Sequence, residues 1–301
     1  MTCAPVVLFV YNRIDHTRRT VMALSSNMLA NNTDLIIFSD AAQSLDTQVS
    51  VDEVRAYLKT IMGFLSVTIH YRTYNFGLSK SIIEGVTEVL KMHERVIVLE
   101  DDLVTSVYFL RFMNEALERY KDEDRVFGVT GYTYPIDTQG IKSTFFLKTE
   151  GCWSWATWDR AWKYFEKDTD KLINTFTKTM IKEFNFDNSM DFWSQVILNK
   201  QGQINTWAIY WYATIFLNRG LFLHSKNSFA QNIGHDGSGI HCGESCIFDT
   251  PLAHVYDVEF ERNIQESKVA REAYVEFFNS LKTPFHIRVF NKIKRILKWG
   301  K

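Results

Sequence analysis

Val96-Ile97-Val98-Leu99-Glu100-Asp101-Asp102-Leu103 places four apolar residues directly before three consecutive carboxylates. A short unbroken apolar run with polar flanks is the pattern of a strand covered on both faces. Working outward, the pattern recurs at 6–10 (VVLFV), 35–38 (LIIF) and 67–71 (VTIHY). Helical spacing lies between these runs at 18–29, 52–62 and 78–93. The alternation predicts βαβ units and an α/β fold: a Rossmann-like, doubly wound, mixed but mostly parallel sheet with helices on both faces. Further strands are expected at 126–131 and 145–147, and helices at 171–183, 189–199 and 207–218. No repeat or Pro/Gly/Ser linker interrupts the chain. Residues 1–125 and 126–284 are therefore expected as two halves of one domain, followed by a helix at 285–301.

In such sheets ligands bind beyond the carboxyl ends of the strands, at a topological switch point. The polar residues expected there are Asn12 and Arg13, Asp40, Asn75 to Gly77, and Glu100 to Asp102. Three adjacent carboxylates disfavour joint ionisation, and a divalent cation relieves that. Hard cations such as Mn²⁺ or Mg²⁺ take carboxylate and phosphate oxygens together, so one acidic side chain can tether a metal that bridges a diphosphate. A solvated acidic loop, or Asp102 capping a helix through Tyr108 and Met113, fits the same residues.

Composition narrows the classes. The 301 residues are 46% hydrophobic with a net charge of −1, ordinary for a globular chain and without the basic excess that nucleic acid selects. Cys3, Cys152, Cys242 and Cys246 form no CxxC pair, which points to a reducing compartment rather than a disulfide framework. Cys242 and Cys246 with His241 fall short of a convergent zinc set. Neither a signal-peptide pattern nor a run of ~20 apolar residues is found, so a cytoplasmic location is expected. Val289, Phe290, Ile293, Ile296 and Leu297 share a helical face beside Arg288, Lys292, Lys294, Arg295 and Lys298. That suits an anionic membrane surface, here the inner face, and equally a helix docked on its own domain.

The strand followed by Glu100-Asp101-Asp102-Leu103 resembles the EDD form of the DXD motif in GT-A glycosyltransferases. These include the Golgi N-acetylglucosaminyltransferase that starts complex N-glycans and bacterial enzymes of surface polysaccharides. The similarity runs from Pro5 to about Gly243. It takes in Phe9-Val10-Tyr11-Asn12-Arg13, Asn75-Phe76-Gly77-Leu78-Ser79-Lys80, Trp153-Ser154-Trp155-Ala156-Thr157-Trp158 and Asn232-Ile233-Gly234-His235-Asp236-Gly237-Ser238-Gly239. The resemblance implies a metal-dependent transfer from a nucleotide-sugar donor, UDP-linked by preference, to a saccharide or lipid-linked saccharide acceptor. It also implies roles: Asp102 on the metal, Asp101 at the ribose, Glu100 at the donor sugar, and Asp40 at the base. Asn12 and Arg13 would form the base and ribose wall. Asn75 and Gly77 would let the backbone approach the donor, and Lys80 would contact the diphosphate. The glycine-rich segment 232–243 would close over the donor, with His235 and His241 near diphosphate or metal. Of Trp153, Trp155, Trp158 and Trp162, one or two are expected in the cleft and the rest in the core.

One element of the pattern is missing. An inverting transferase needs a base for the acceptor hydroxyl. The Golgi enzyme supplies it from a Trp-Asp-Asp-Trp segment, whereas Trp207-Ala208-Ile209-Tyr210-Trp211 has no acid. Asp191 and Asp159 are the nearest substitutes, with Glu150 a third. Two other readings stay open. A nucleotidyltransferase shares the acids and the sheet, although Tyr11-Asn12-Arg13-Ile14-Asp15 lacks the glycines of its phosphate loop. A sugar-nucleotide-binding module without turnover would also explain the missing acid.

Overall fold

The computed structural model describes residues 3–237 and 245–282. In chain order the elements are β1 (Val6–Val10), α1 (Ile14–Ser25), β2 (Asp34–Ser39), α2 (Leu45–Leu58), β3 (Ser66–Tyr71), α3 (Leu78–Leu90), β4 (Arg95–Glu100), β5 (Leu103–Thr105), α4 (Phe109–Arg119), β6 (Val126–Thr130), β7 (Thr144–Leu147), β8 (Trp155–Trp158), α5 (Asp159–Trp162), α6 (Thr169–Thr175), α7 (Lys178–Phe184), α8 (Trp193–Lys200), α9 (Ala208–Leu217), β9 (Leu221–Ser225), β10 (Ala230–Asn232) and α10 (Lys268–Ser280). Eight strands form one sheet in the order β3-β2-β1-β4-β8-β6-β9-β7, and β5 pairs with β10 apart from it. Strands β3, β2, β1 and β4 are parallel. Strand β8 runs antiparallel to both β4 and β6. The fold is a doubly wound, mixed α/β sheet.

The apolar runs form central strands because both of their faces are covered. Val6, Leu8 and Val10 enter one core cluster with α1 and α4, while Val7 and Phe9 enter another with α3 and α9. A third cluster packs α6 to α10 over β7. From β1 the chain moves outward to β2 and β3, then returns to place β4 on β1's other side. The β1–β4 gap is therefore the switch point, and Phe9 stands in register with Glu100 across it.

Several boundaries differ from expectation. Helix α1 starts at Ile14 and α2 at Leu45, both earlier than the spacing at 18–29 and 52–62 suggested. The helix expected at 171–183 is two helices. Phe176 turns extended at the first C-cap, and the Thr177 side chain accepts from Met180 N to begin the second. Strand β5 follows the acids directly and α4 starts only at Phe109, so Asp102 is no helix cap.

Candidate active site

The turn after β1 and the end of β4 meet at the switch point. Arg13 Nη2 donates to Asp102 Oδ2 at 2.8 Å and makes a second, shorter contact with Asp101 Oδ1. Thr20 on α1 ties down this corner by donating to Asp101 O at 2.7 Å. Burial opposes charge on Arg13, but Asp101 and Asp102 outweigh it and hold the guanidinium above its usual range. One cation faces three acids. Burial first, then the Asp102 and Asp101 charges, pushes Glu100 up to about 8 against the pull of Arg13. Burial likewise raises Asp101 to about 6, with Arg13 opposing and Asp102 adding. Both carboxyls are short of countercharge.

The roof over these acids comes from far along the chain. Asn232 pairs with Leu103 in the β5–β10 ribbon, and Ile233 N donates to Asp102 O at 2.8 Å. Gly234 then packs on the carboxylate. A methyl there would overlap Asp102 Oδ2 and stand 3.2 Å from Arg13 Nη1, so only glycine fits this close approach. His235 follows with its ring 5.1 Å from those of Trp153 and Phe248. Next to it, Asp236 Oδ2 lies 3.1 Å from His16 Nε2. His241 and the rest of the expected lid, residues 238–243, lie outside the described residues, as does the tail 285–301.

At the neighbouring strand end, Asp40 Oδ1 accepts from Ala41 N at 2.9 Å and Phe76 N at 2.8 Å, while Oδ2 accepts from Gly77 N at 2.9 Å. Asn75 Nδ2 donates to Ala41 O at 2.7 Å. These bonds fold the 75–77 turn, and Gly77 adopts φ 70° to start α3. Asp40 thus carries a structural duty, as its turn context at 39–42 also allowed. Asn12 is half-buried beside Arg13. Lys80 points along α3, with Nζ 4.2 Å from the Phe76 ring centre and 3.7 Å from Glu84. The structure thus gathers Asn12, Arg13, Asp40, Asn75, Gly77 and Glu100 to Asp102 along one edge of the sheet.

Two expected residues are not brought there. Antiparallel β8 pairs Trp158 with Arg95, and Asp159 N donates to Glu94 O at 2.9 Å, which puts Asp159 at the opposite edge of the sheet. Asp191 is exposed between α7 and α8, where its Oδ1 accepts from Ser194 N at 3.2 Å. Of the four tryptophans, Trp155, Trp158 and Trp162 are buried and Trp153 is half-buried toward His235. Sequence reasoning attached no site role to His16 or Thr20, because isolated polar residues on an amphipathic helix carry no pattern.

Among the described residues no three His, Cys, Asp or Glu side chains form a closed metal cage. What the site offers is Asp102, whose Oδ1 receives no hydrogen bond from a described residue. Its surroundings are under-neutralised, and Gly234 leaves no bulk over it. That donor set fits an oxygen-seeking divalent ion held by one carboxylate, with waters and phosphate oxygens completing its shell.

No family model matches the chain, and no curated protein matches it. Among solved structures it is similar to the mannosyltransferase PcManGT from Pyrobaculum calidifontis in complex with GDP-Man and Mn²⁺. The identity is 11% and the TM-score 0.40, over 72% of this chain and 70% of that one. It is also similar to S. aureus TarS, with 9% identity and a TM-score of 0.41, over 77% of this chain and 37% of that one. At TM-scores this low no residue correspondence can be transferred, and the site stands on its own geometry.

Proposed function

We propose that this chain is a metal-dependent glycosyltransferase of the GT-A type. It would move a sugar from a nucleoside-diphosphate sugar to a saccharide or lipid-linked saccharide acceptor. The observation that carries the reading is the junction of Arg13, Asp101 and Asp102 at the β1–β4 switch point, roofed by Gly234. Switch-point clefts of this kind receive nucleotides. Asp102 would hold Mn²⁺ or Mg²⁺, which when bound neutralises charge on the leaving diphosphate. Asp101 and Asn12 line the ribose side, and Glu100 faces the transferred sugar. Arg13 keeps Asp101 and Asp102 aligned and adds a permanent positive charge beside the diphosphate. The 232–237 segment covers the acids and shields the reacting bond from water.

A UDP-linked donor follows from the sequence resemblance, and an acceptor at the inner face of a membrane from the basic, amphipathic pattern of residues 285–301. Among the described residues no helix is long and apolar enough to cross a membrane.

Calorimetric titration with UDP-, GDP- and dTDP-sugars, with Mn²⁺ and with EDTA, tests the reading. One donor should bind only with metal, and Asp102→Asn should abolish that metal dependence. Donor affinity unchanged in both EDTA and Asp102→Asn would refute it.

A further inference from the structure

Most acids at the carboxyl edge of the sheet are engaged; Glu100 accepts no hydrogen bond from a described residue but sits among the charges of Asp101, Asp102 and Arg13. Asp40 accepts three backbone N–H groups. Asp101 and Asp102 share Arg13, and Asp236 faces His16. The 207–211 segment supplies no acid, and its Trp207 and Trp211 are in the core. Glu150 stands apart from this pattern. It is half-buried, and its carboxylate accepts no hydrogen bond from a described residue.

Its position follows from the crossing that leaves β7 and enters β8. Thr149 O lies 3.4 Å from His224 Nε2 on β9. Gly151 packs on the Thr130 side chain at the carboxyl end of β6, where an added methyl would overlap Thr130 Oγ1. Two residues on, the Trp153 ring meets His235, the neighbour of the glycine that sits on Asp102. The crossing therefore flanks the acidic site on its β6 side, along a wall of Tyr132, Tyr134 and Trp153 rings. Tyr134 and Tyr212 both feel the Glu150 charge, Tyr134 also that of Cys152 and Tyr212 also those of Arg271 and Glu266, and His224 lies behind Thr149. Burial lowers His224 to about 4, so it is neutral at physiological pH, and among the described residues no cation pairs with Glu150.

Resting on the glycosyltransferase reading, we propose that Glu150 is the general base that deprotonates the acceptor hydroxyl. The acceptor oxygen forms its bond to the anomeric carbon as the bond from that carbon to the diphosphate oxygen breaks. The electron pair leaves with the nucleoside diphosphate, and the hydroxyl proton passes to a Glu150 carboxylate oxygen. Attack from the side opposite the leaving group inverts the anomeric configuration. A desolvated carboxylate without hydrogen-bond donors binds a proton tightly, which is what the role requires. Such groups collect at functional sites because burial without a partner is otherwise disfavoured.

The test compares the wild type with Glu150→Gln, a near-isosteric change. Expected are donor affinity within twofold of wild type, an unreduced melting temperature, and transfer slowed about 10²–10⁴-fold. In the wild type kcat/KM should rise with pH through about 8, and the product should be inverted by NMR. Transfer by Glu150→Gln within tenfold of wild type, a retained configuration, or a flat wild-type pH profile from 5 to 9 overturns the proposal. Parallel losses of donor affinity and turnover overturn it in favour of a structural role. A wild type that binds no nucleotide sugar overturns the glycosyltransferase reading, and this assignment with it. An active wild type matched by an active Glu150→Gln removes the assignment alone.

Discussion

Glu150 should leave a signature in stability as well as in turnover. Burial raises its carboxyl from 4.5 to about 8, with no cation among the described residues pulling it back. Between those two values the folded chain keeps a proton that the unfolded chain has released. Stability therefore falls as pH climbs through this window and levels off above it. At 1.36 kcal/mol per pKa unit, the interval sets a ceiling of about 5 kcal/mol on the loss. Glu100 and Asp101 are raised too, so the wild-type slope alone does not isolate Glu150. Glu150→Gln does, because glutamine does not ionise while the other two acids remain in both proteins. Urea unfolding of the two proteins at pH 5, 6.5, 8 and 9 reads the difference. The curves should nearly coincide at pH 5 and separate toward pH 9, with the variant the more stable. Parallel stability profiles would refute the reasoning, since they would mean that Glu150 is solvated or paired in the folded chain. A variant that gains stability while losing turnover would be a group kept for activity at the expense of the fold.

Gly234→Ala should cost about 1–3 kcal/mol by overpacking Asp102 and weaken metal-dependent donor binding at least tenfold; an unchanged titration would show that the roof lifts away from Asp102 during binding. Asp40→Asn exchanges one acceptor oxygen for an amide among three backbone donors, so about 1–3 kcal/mol of stability should go, read by thermal unfolding. A loss of donor affinity at unchanged melting temperature would instead assign Asp40 to the ligand.

The sheet was legible because its central strands are covered on both faces. Val6 to Val10 are all buried, and so are Val96 to Leu99. Helix starts were less so. Leu45 and Val49 sit in the first turns of α2 yet are exposed, so apolar spacing there pointed nowhere and Ser44 carried the start through its capping box. Strand direction was hidden as well. Trp155 to Trp158 are buried throughout, but nothing in their sequence states that β8 is inserted antiparallel between β4 and β6. That reversal carries Asp159 to the far edge while Glu150, before the strand, stays at the near one. The acidic run 100–102 could be found from its own pattern. Its partners could not, since Arg13 and Gly234 are ordinary residues until the fold brings them together.

The charge balance of the site bears on the order in which ligands enter. A phosphate loop receives anions on glycine-rich backbone N–H groups, which are neutral and always in place. The turn after β1 has no glycine here, and it directs Arg13 onto the acids instead. One guanidinium shared by two carboxylates, with Glu100 beside them, leaves the cleft negative whenever those acids are ionised. A diphosphate approaching such a cleft alone is repelled, and more strongly as pH rises and the acids lose their protons. A divalent cation on Asp102 would cancel that excess of negative charge, and the repulsion with it. On the proposed reading, metal and donor are expected to bind together or metal first. Arg13 Nη2 bridges Asp101 and Asp102, so on the proposed reading Arg13→Ala should loosen both acids and weaken metal-dependent donor binding in the same titration.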